Sequence, residues 1–234
     1  MLYDGLVTMG FVLPPAATPS VAVAGTTDRF AVRRIFCVGR NYAEHAREMG
    51  HDPDAEPPFF FTKPADAVVD SGMTLAYPVG TADLHHEAEL VVAVGKGGAF
   101  VTEDHANALI WGYAAGNDLT RRDLQAEAKA ARRPWDMAKG FDQSAVVGAL
   151  RPADQGIPAG RIRCMVDGTL TQDADLAAMI WPVAGIITHL SRLVRLEPGD
   201  LIFTGTPAGV GPIAAGQTCD VQIDGLEPAI VSFR

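Results

Sequence analysis

The stretch His85-His86-Glu87-Ala88-Glu89-Leu90-Val91-Val92 leads two acids straight into an apolar run that lasts to Val94. Alternate residues of a strand share a face, so Glu87 and Glu89 point the same way. Further on, the apolar run Leu109 to Ala115 is followed by a lone acid, Asp118. The pattern predicts two core strands that deliver three carboxylates to one place. Like charges on one face repel unless something positive lies between them, and a divalent cation with Asp118 as a third oxygen ligand meets that need. An all-oxygen set favours Mg²⁺, Mn²⁺ or Ca²⁺ over zinc and leaves coordination positions open for a substrate. The same spacing also fits a solvated acidic strand edge. A zinc site that adds His85, which shares the parity of Glu87 and Glu89, is a further alternative.

The 234 residues suffice for one large domain or two small ones, and 48% hydrophobic with 20% charged residues describes a globular chain with a real core. Nineteen basic against 28 acidic residues give a net charge of −9, which argues against nucleic acid as a partner. Cys37, Cys164 and Cys219 are widely spaced and form no CxxC, so they read as buried free thiols of a cytoplasmic protein. Neither a membrane-length apolar run nor a signal peptide is expected.

Residues 1–32, rich in Pro and Ala, read as an extended N-terminal arm, and residues 33–234 as a single catalytic domain. Arg34 to Gly39 and Phe59 to Lys63 read as strands, with a helix over Asn41 to Met49 between them. Thr102 to Leu109 suggests a short helix. A helix is predicted over Thr120 to Arg132, with Thr120 as N-cap and Asp123 closing an acidic capping box. Asp167-Gly168 and Asp224-Gly225 mark hairpins. Pro182 to Arg195 is an amphipathic helix with Pro182 in its first turn.

Several other groups carry chemistry. His45 and Glu48 meet at i, i+3 on a helix, where a carboxylate orients an imidazole and supports its protonated form; a surface pair without a role is the plain alternative. Arg122 and Gln125 stand at the same spacing after Asp118 and suit a carboxylate and a polar oxygen. Lys139, in Asp136-Met137-Ala138-Lys139-Gly140, is a potential oxyanion donor or a surface lysine. The stretch from Gly205 and Thr206 to Pro212 can present backbone N–H groups to an anion, but it lacks the Gly-Lys-Ser/Thr of a phosphate loop.

Val38-Gly39-Arg40-Asn41-Tyr42, Phe61-Thr62-Lys63-Pro64, His86-Glu87-Ala88-Glu89-Leu90, Asn117-Asp118 through Gln125, Lys139-Gly140-Phe141-Asp142 and Thr204-Gly205-Thr206-Pro207 occur in an order that resembles the fumarylacetoacetate hydrolase family, most closely its short bacterial acylpyruvase branch. His45 to Pro53 and Glu56 to Phe61 are similar to members that cleave fumarylpyruvate in aromatic catabolism. The resemblance implies a β-rich α+β fold, a rolled mixed sheet with peripheral helices, and a homodimer. It implies Mg²⁺ or Mn²⁺ on Glu87, Glu89 and Asp118. It implies His45 and Glu48 as a water-activating dyad, Lys139 as oxyanion stabiliser, and Arg122, Gln125, Thr206 and Gly205 as substrate-holding residues. Arg121 departs from the family pattern and is a candidate for the substrate's far carboxylate. The implied reaction is hydrolysis of the carbon–carbon bond of a 2,4-dioxo acid, fumarylpyruvate giving fumarate and pyruvate. Alternatives are an oxaloacetate decarboxylase or tautomerase, another acylpyruvate hydrolase, or a silent metal- or ligand-binding protein.

Overall fold

The two apolar runs form neighbouring antiparallel strands, Ala88–Val94 and Ile110–Asp118, at the centre of an eight-stranded mixed sheet. The computed structural model describes residues 12–44 and 57–234. Every residue of Ala88–Val94 is buried, because both faces of the sheet are covered. Leu90, Val92 and Val94 enter one apolar cluster with Ile186, Ile187 and Leu190 of the helix Val183–Leu193 and with Ile162, Val221 and Val231. Val91 and Ala93 enter the opposite cluster with Ile35, Cys37, Leu201 and Phe203. A strand buried on both sides reads as a continuous apolar run, and the period of two survives only in which cluster each residue joins.

The remaining strands extend this arrangement. Arg34–Gly39 pairs with Phe59–Lys63 and, in parallel, with Asp200–Phe203, which abuts Ala88–Val94. A five-stranded sheet built on Arg161–Val166, Thr169–Asp175, Thr218–Ile223 and Ala229–Phe233 covers the first cluster. The Asp167-Gly168 turn has φ of 48° and 77°, both in the left-handed region that the tightest hairpin turns demand. Among the described residues no helix is long and apolar enough to cross a membrane.

Three expectations need correction. Residues 20–32 are not a loose arm: Ser20–Ala22 pairs with Arg29–Ala31, and Val21 and Val32 are buried in the second cluster. The predicted helix start at Thr120 is instead a short strand, Thr120–Arg121, paired with Leu84–His86, and the helix runs over Arg122–Ala130. Asp123 caps nothing at Thr120; it accepts from the Thr81 hydroxyl at 2.7 Å and the Ala82 amide at 3.0 Å, a tertiary contact that outbids the local box. Third, Pro182 precedes its helix rather than opening the first turn. The expectation of buried free thiols holds for Cys37, Cys164 and Cys219, and Cys164 and Cys219, distant in sequence, lie on adjacent strands with sulfurs 3.4 Å apart.

Gly116 shows how tightly the central strands pack. A Cβ there would lie 2.4 Å from Val91 Cγ2 and 3.0 Å from Phe203 Cε1. Gly116→Ala is expected to lower unfolding stability by about 1–3 kcal/mol, read as a shift in urea midpoint at unchanged m-value. An unshifted midpoint would contradict this packing.

Candidate metal centre and substrate cavity

Glu87 occupies a one-residue break between Leu84–His86 and Ala88–Val94, where the chain leaves a three-stranded sheet and enters the large one. The register pairs Ala88 with Asn117 and Glu89 with Gly116, so Asp118, the last residue of its strand, comes against Glu87. Two hydrogen bonds hold that junction: the Asp118 amide donates to Glu87 O at 2.9 Å, and the Glu87 amide donates to Asn117 Oδ1 at 3.0 Å. Carboxylate oxygens of Glu87, Glu89 and Asp118 all lie within 4.8 Å of one another, and all three residues are buried.

Burying three carboxylates together is costly unless cations compensate. Arg122 donates to Glu87 Oε1 at 2.6 Å, and Lys139 reaches Glu87 Oε2 at 2.6 Å and Asp118 Oδ2 at 2.8 Å. On the far side Lys63, itself buried, lies 2.7 Å from Asp118 Oδ1. The Lys63 ammonium also donates to Leu119 O at 3.1 Å and to the Lys139 carbonyl. Lys139 stays charged although burial pushes its pKa down, because Asp118 and Glu87 push it up further and the net shift is upward.

Glu89 is treated differently. It accepts from a neutral donor, the Gly205 amide, at 2.7 Å from Oε2. Burial, then Asp118 and then Glu87 hold its carboxyl well above the usual carboxylate range. Its charged form therefore asks for a further positive charge. The donor set is all oxygen, buried and clustered, and it fits a hard divalent cation. With such an ion, three carboxylates face the ion and three side-chain cations, an excess of about two positive charges that favours an anionic ligand.

Gly205 has to be glycine: its φ is 95°, and a Cβ would lie 2.6 Å from Asn41 Cβ. Only glycine brings this amide to Glu89. In this structure the Gly205 amide holds the Glu89 carboxylate. Asn41 anchors the same loop, donating to Thr204 O at 2.8 Å.

A cavity opens over the cluster. It is lined by Glu87, Glu89, Arg122, Gln125, Thr206 and Lys139, with Arg40, Phe59, Lys129 and Trp135 farther out. Gln125 accepts from Arg122 at 2.6 Å, and Thr206 Oγ1 accepts from Gln172 Nε2 at 2.8 Å. Gln172 also accepts from the Ala88 amide and contacts His86 Nδ1, each at 3.0 Å, so it ties the triad strand to Thr206. The zinc alternative loses its histidine: His85 Nε2 lies 2.9 Å from Asp83, and among the described residues the cluster comprises carboxylates alone. Arg121 stacks on Phe141 at 4.3 Å and donates to Met137 O, away from the cavity lining. His45 and Glu48 lie outside the described residues. Lys63 and Gln172 had no assigned role in the sequence reading. Lys63 stood inside a quoted motif, whereas an isolated Gln in an alternating strand carries no signal.

Comparisons with known proteins agree with this geometry. Fumarylpyruvate hydrolase of a Ralstonia species is 45% identical over 177 residues, covering 75% of this chain and 92% of that protein. The mitochondrial oxaloacetate tautomerase of Mus musculus is 41% identical over 205 residues, covering 86% and 90%. The crystal structure of fumarylpyruvate hydrolase from Pseudomonas aeruginosa in complex with Mn²⁺ and pyruvate matches with a TM-score of 0.93 and 49% identity, covering 96% of this chain and 99% of that one. Residues 34–232 match the model of the fumarylacetoacetate (FAA) hydrolase C-terminal domain. The chain therefore belongs to the fumarylacetoacetate hydrolase family.

Proposed function

We propose that this protein is a metal-dependent hydrolase of 2,4-dioxo acids that cleaves fumarylpyruvate to fumarate and pyruvate. The observation that carries this reading is the buried triad of Glu87, Glu89 and Asp118 at the floor of a cavity lined by Arg122, Gln125 and Thr206. The triad would hold Mg²⁺ or Mn²⁺. Such an ion supplies Lewis acidity to a chelated 2-oxo acid and to the enolate it becomes.

The remaining chemistry falls to side chains. Arg122 and Gln125 orient the 2-oxo acid end, and Thr206 holds a substrate oxygen from the opposite wall. His45, oriented by Glu48, takes a proton from water, whose oxygen attacks the C4 carbonyl carbon. The carbonyl electron pair moves onto oxygen, where Lys139 meets it: two of the three Lys139 N–H donors are committed to Glu87 and Asp118, and the third has no hydrogen-bond partner among the described residues. Collapse restores the C4 carbonyl and breaks the C3–C4 bond. The bonding pair passes to C3 as the enolate of pyruvate, which is then protonated.

Similarity to an oxaloacetate tautomerase favours a second reading, in which the same site enolises a 2-oxo diacid without activating water. Pyruvate release from fumarylpyruvate, acetylpyruvate and oxaloacetate, with a direct measure of oxaloacetate enolisation, separates the two. For the hydrolase, His45→Ala is expected to lose roughly 10²–10⁴ in kcat, and Lys139→Ala roughly 10²–10³. Normal turnover by either variant would sink that residue's assignment. Enolisation of oxaloacetate that survives His45→Ala, without hydrolysis of either acylpyruvate by the unaltered protein, would establish the second reading.

Metal binding has its own readout. At a concentration about 100-fold above Kd, Mn²⁺ should stabilise the fold by about 2.7 kcal/mol, a rise of roughly 5–10 °C in Tm for a chain of this size. Glu89→Gln should abolish most of that rise. A Tm indifferent to Mn²⁺, Mg²⁺ and chelator would remove the metal from this account.

A further inference from the structure

The helix Arg122–Ala130 acts as a ruler along the cavity wall. Arg122, Gln125 and Lys129 stand at i, i+3 and i+7, on one face. All three line the cavity. Arg122 is hydrogen-bonded to the triad through Glu87, and Lys129 stands two turns on, about 10 Å along the axis. Among the described residues Lys129 has no carboxylate within ion-pair distance. Its ammonium lies 5.2 Å from the centre of the Trp135 ring, and Trp135 packs edge-on against Phe59 and Phe61. The half-buried part of the cavity is thus aromatic and carries a cation with no ion-pair partner among the described residues. The residue first considered for a far carboxylate, Arg121, is occupied elsewhere.

We propose that Lys129 forms a subsite for a second, terminal carboxylate on the acyl arm, so that the cavity selects dicarboxylic 2,4-dioxo acids over those with a neutral acyl end. The proposal rests on the reading that the triad end takes the 2-oxo acid. From the C2 carbonyl carbon, a fumaryl arm extends about 6 Å to its terminal carboxyl carbon, at ~1.2 Å per bond. The oxygens at both ends, with a hydrogen-bond length beyond each, extend that reach towards the ~10 Å that separates Arg122 from Lys129 along the helix axis. The planar unsaturated arm suits the flat faces of Phe59 and Trp135. Burial, and then the nearby guanidinium groups of Arg122 and Arg40, push the Lys129 pKa down to about 8. An ammonium destabilised in this way gains more from an incoming anion than a solvated surface lysine would.

The test compares kcat/KM for fumarylpyruvate and acetylpyruvate with Mn²⁺ present. Lys129→Met should lower the ratio of the two roughly 10- to 100-fold, chiefly through KM for fumarylpyruvate, and Lys129→Arg should recover much of it. A ratio unchanged in Lys129→Met, or equally low in Lys129→Arg, overturns the subsite. If the unaltered protein releases pyruvate from neither compound, the hydrolase reading fails and the subsite is judged by binding. Fumarate and monomethyl fumarate are then titrated calorimetrically into Mn²⁺-loaded protein saturated with pyruvate. Tighter binding of fumarate that disappears in Lys129→Met supports the subsite; equal binding, or a preference that survives the substitution, overturns it.

Discussion

Everything at the centre of this molecule depends on one strand pairing. The register that sets Ala88 against Asn117 also sets Glu87 against Asp118. A slip by one residue would turn Leu90 and Val92 out of their cluster and exchange the two apolar faces. The packing of both faces therefore fixes the register, and the register brings the carboxylates together. The apolar core and the acidic cluster are two consequences of the same alignment.

The cluster is tolerable because cations reach it from separate elements. Lys63 ends one strand, Lys139 ends a four-residue helix, and Arg122 begins the next-door helix. Each pairs with Glu87 or Asp118, and none with Glu89. That asymmetry leaves one carboxylate whose charge is best met from outside the chain. It gives a physical reason for a divalent ion and, through the resulting positive excess, for an anionic substrate.

The cavity is graded in burial. Glu87, Glu89, Lys139, Gln125 and Thr206 in its lining are buried, whereas Phe59, Trp135 and Lys129 are only half-buried. One helix face carries Arg122, Gln125 and Lys129 of this lining, so the proposed chemistry and selectivity would rest on a rigid element rather than a loop. Rigidity at this scale matters because orientation errors of an ångström cost rate.

The sequence by itself determined a great deal. Alternation over Ile162 to Val166, the apolar runs around Leu90 and Ala114, and the Asp-Gly turns made the strands legible, because local patterning and turn chemistry are encoded residue by residue. The spacing of Glu87 and Glu89 made a paired-acid face legible, and the ordered motifs indicated the family. Only the tertiary structure decided that Glu87 sits at a switch between two sheets, that Thr120 belongs to a strand, and that Asp123 bonds to Thr81 instead of capping its helix. It also decided that Lys63 and Gln172 serve the site, that Gly205 holds Glu89, and that Cys164 meets Cys219. These depend on contacts between residues far apart in the chain, and a local pattern carries no information about which distant partner will outcompete a nearby one.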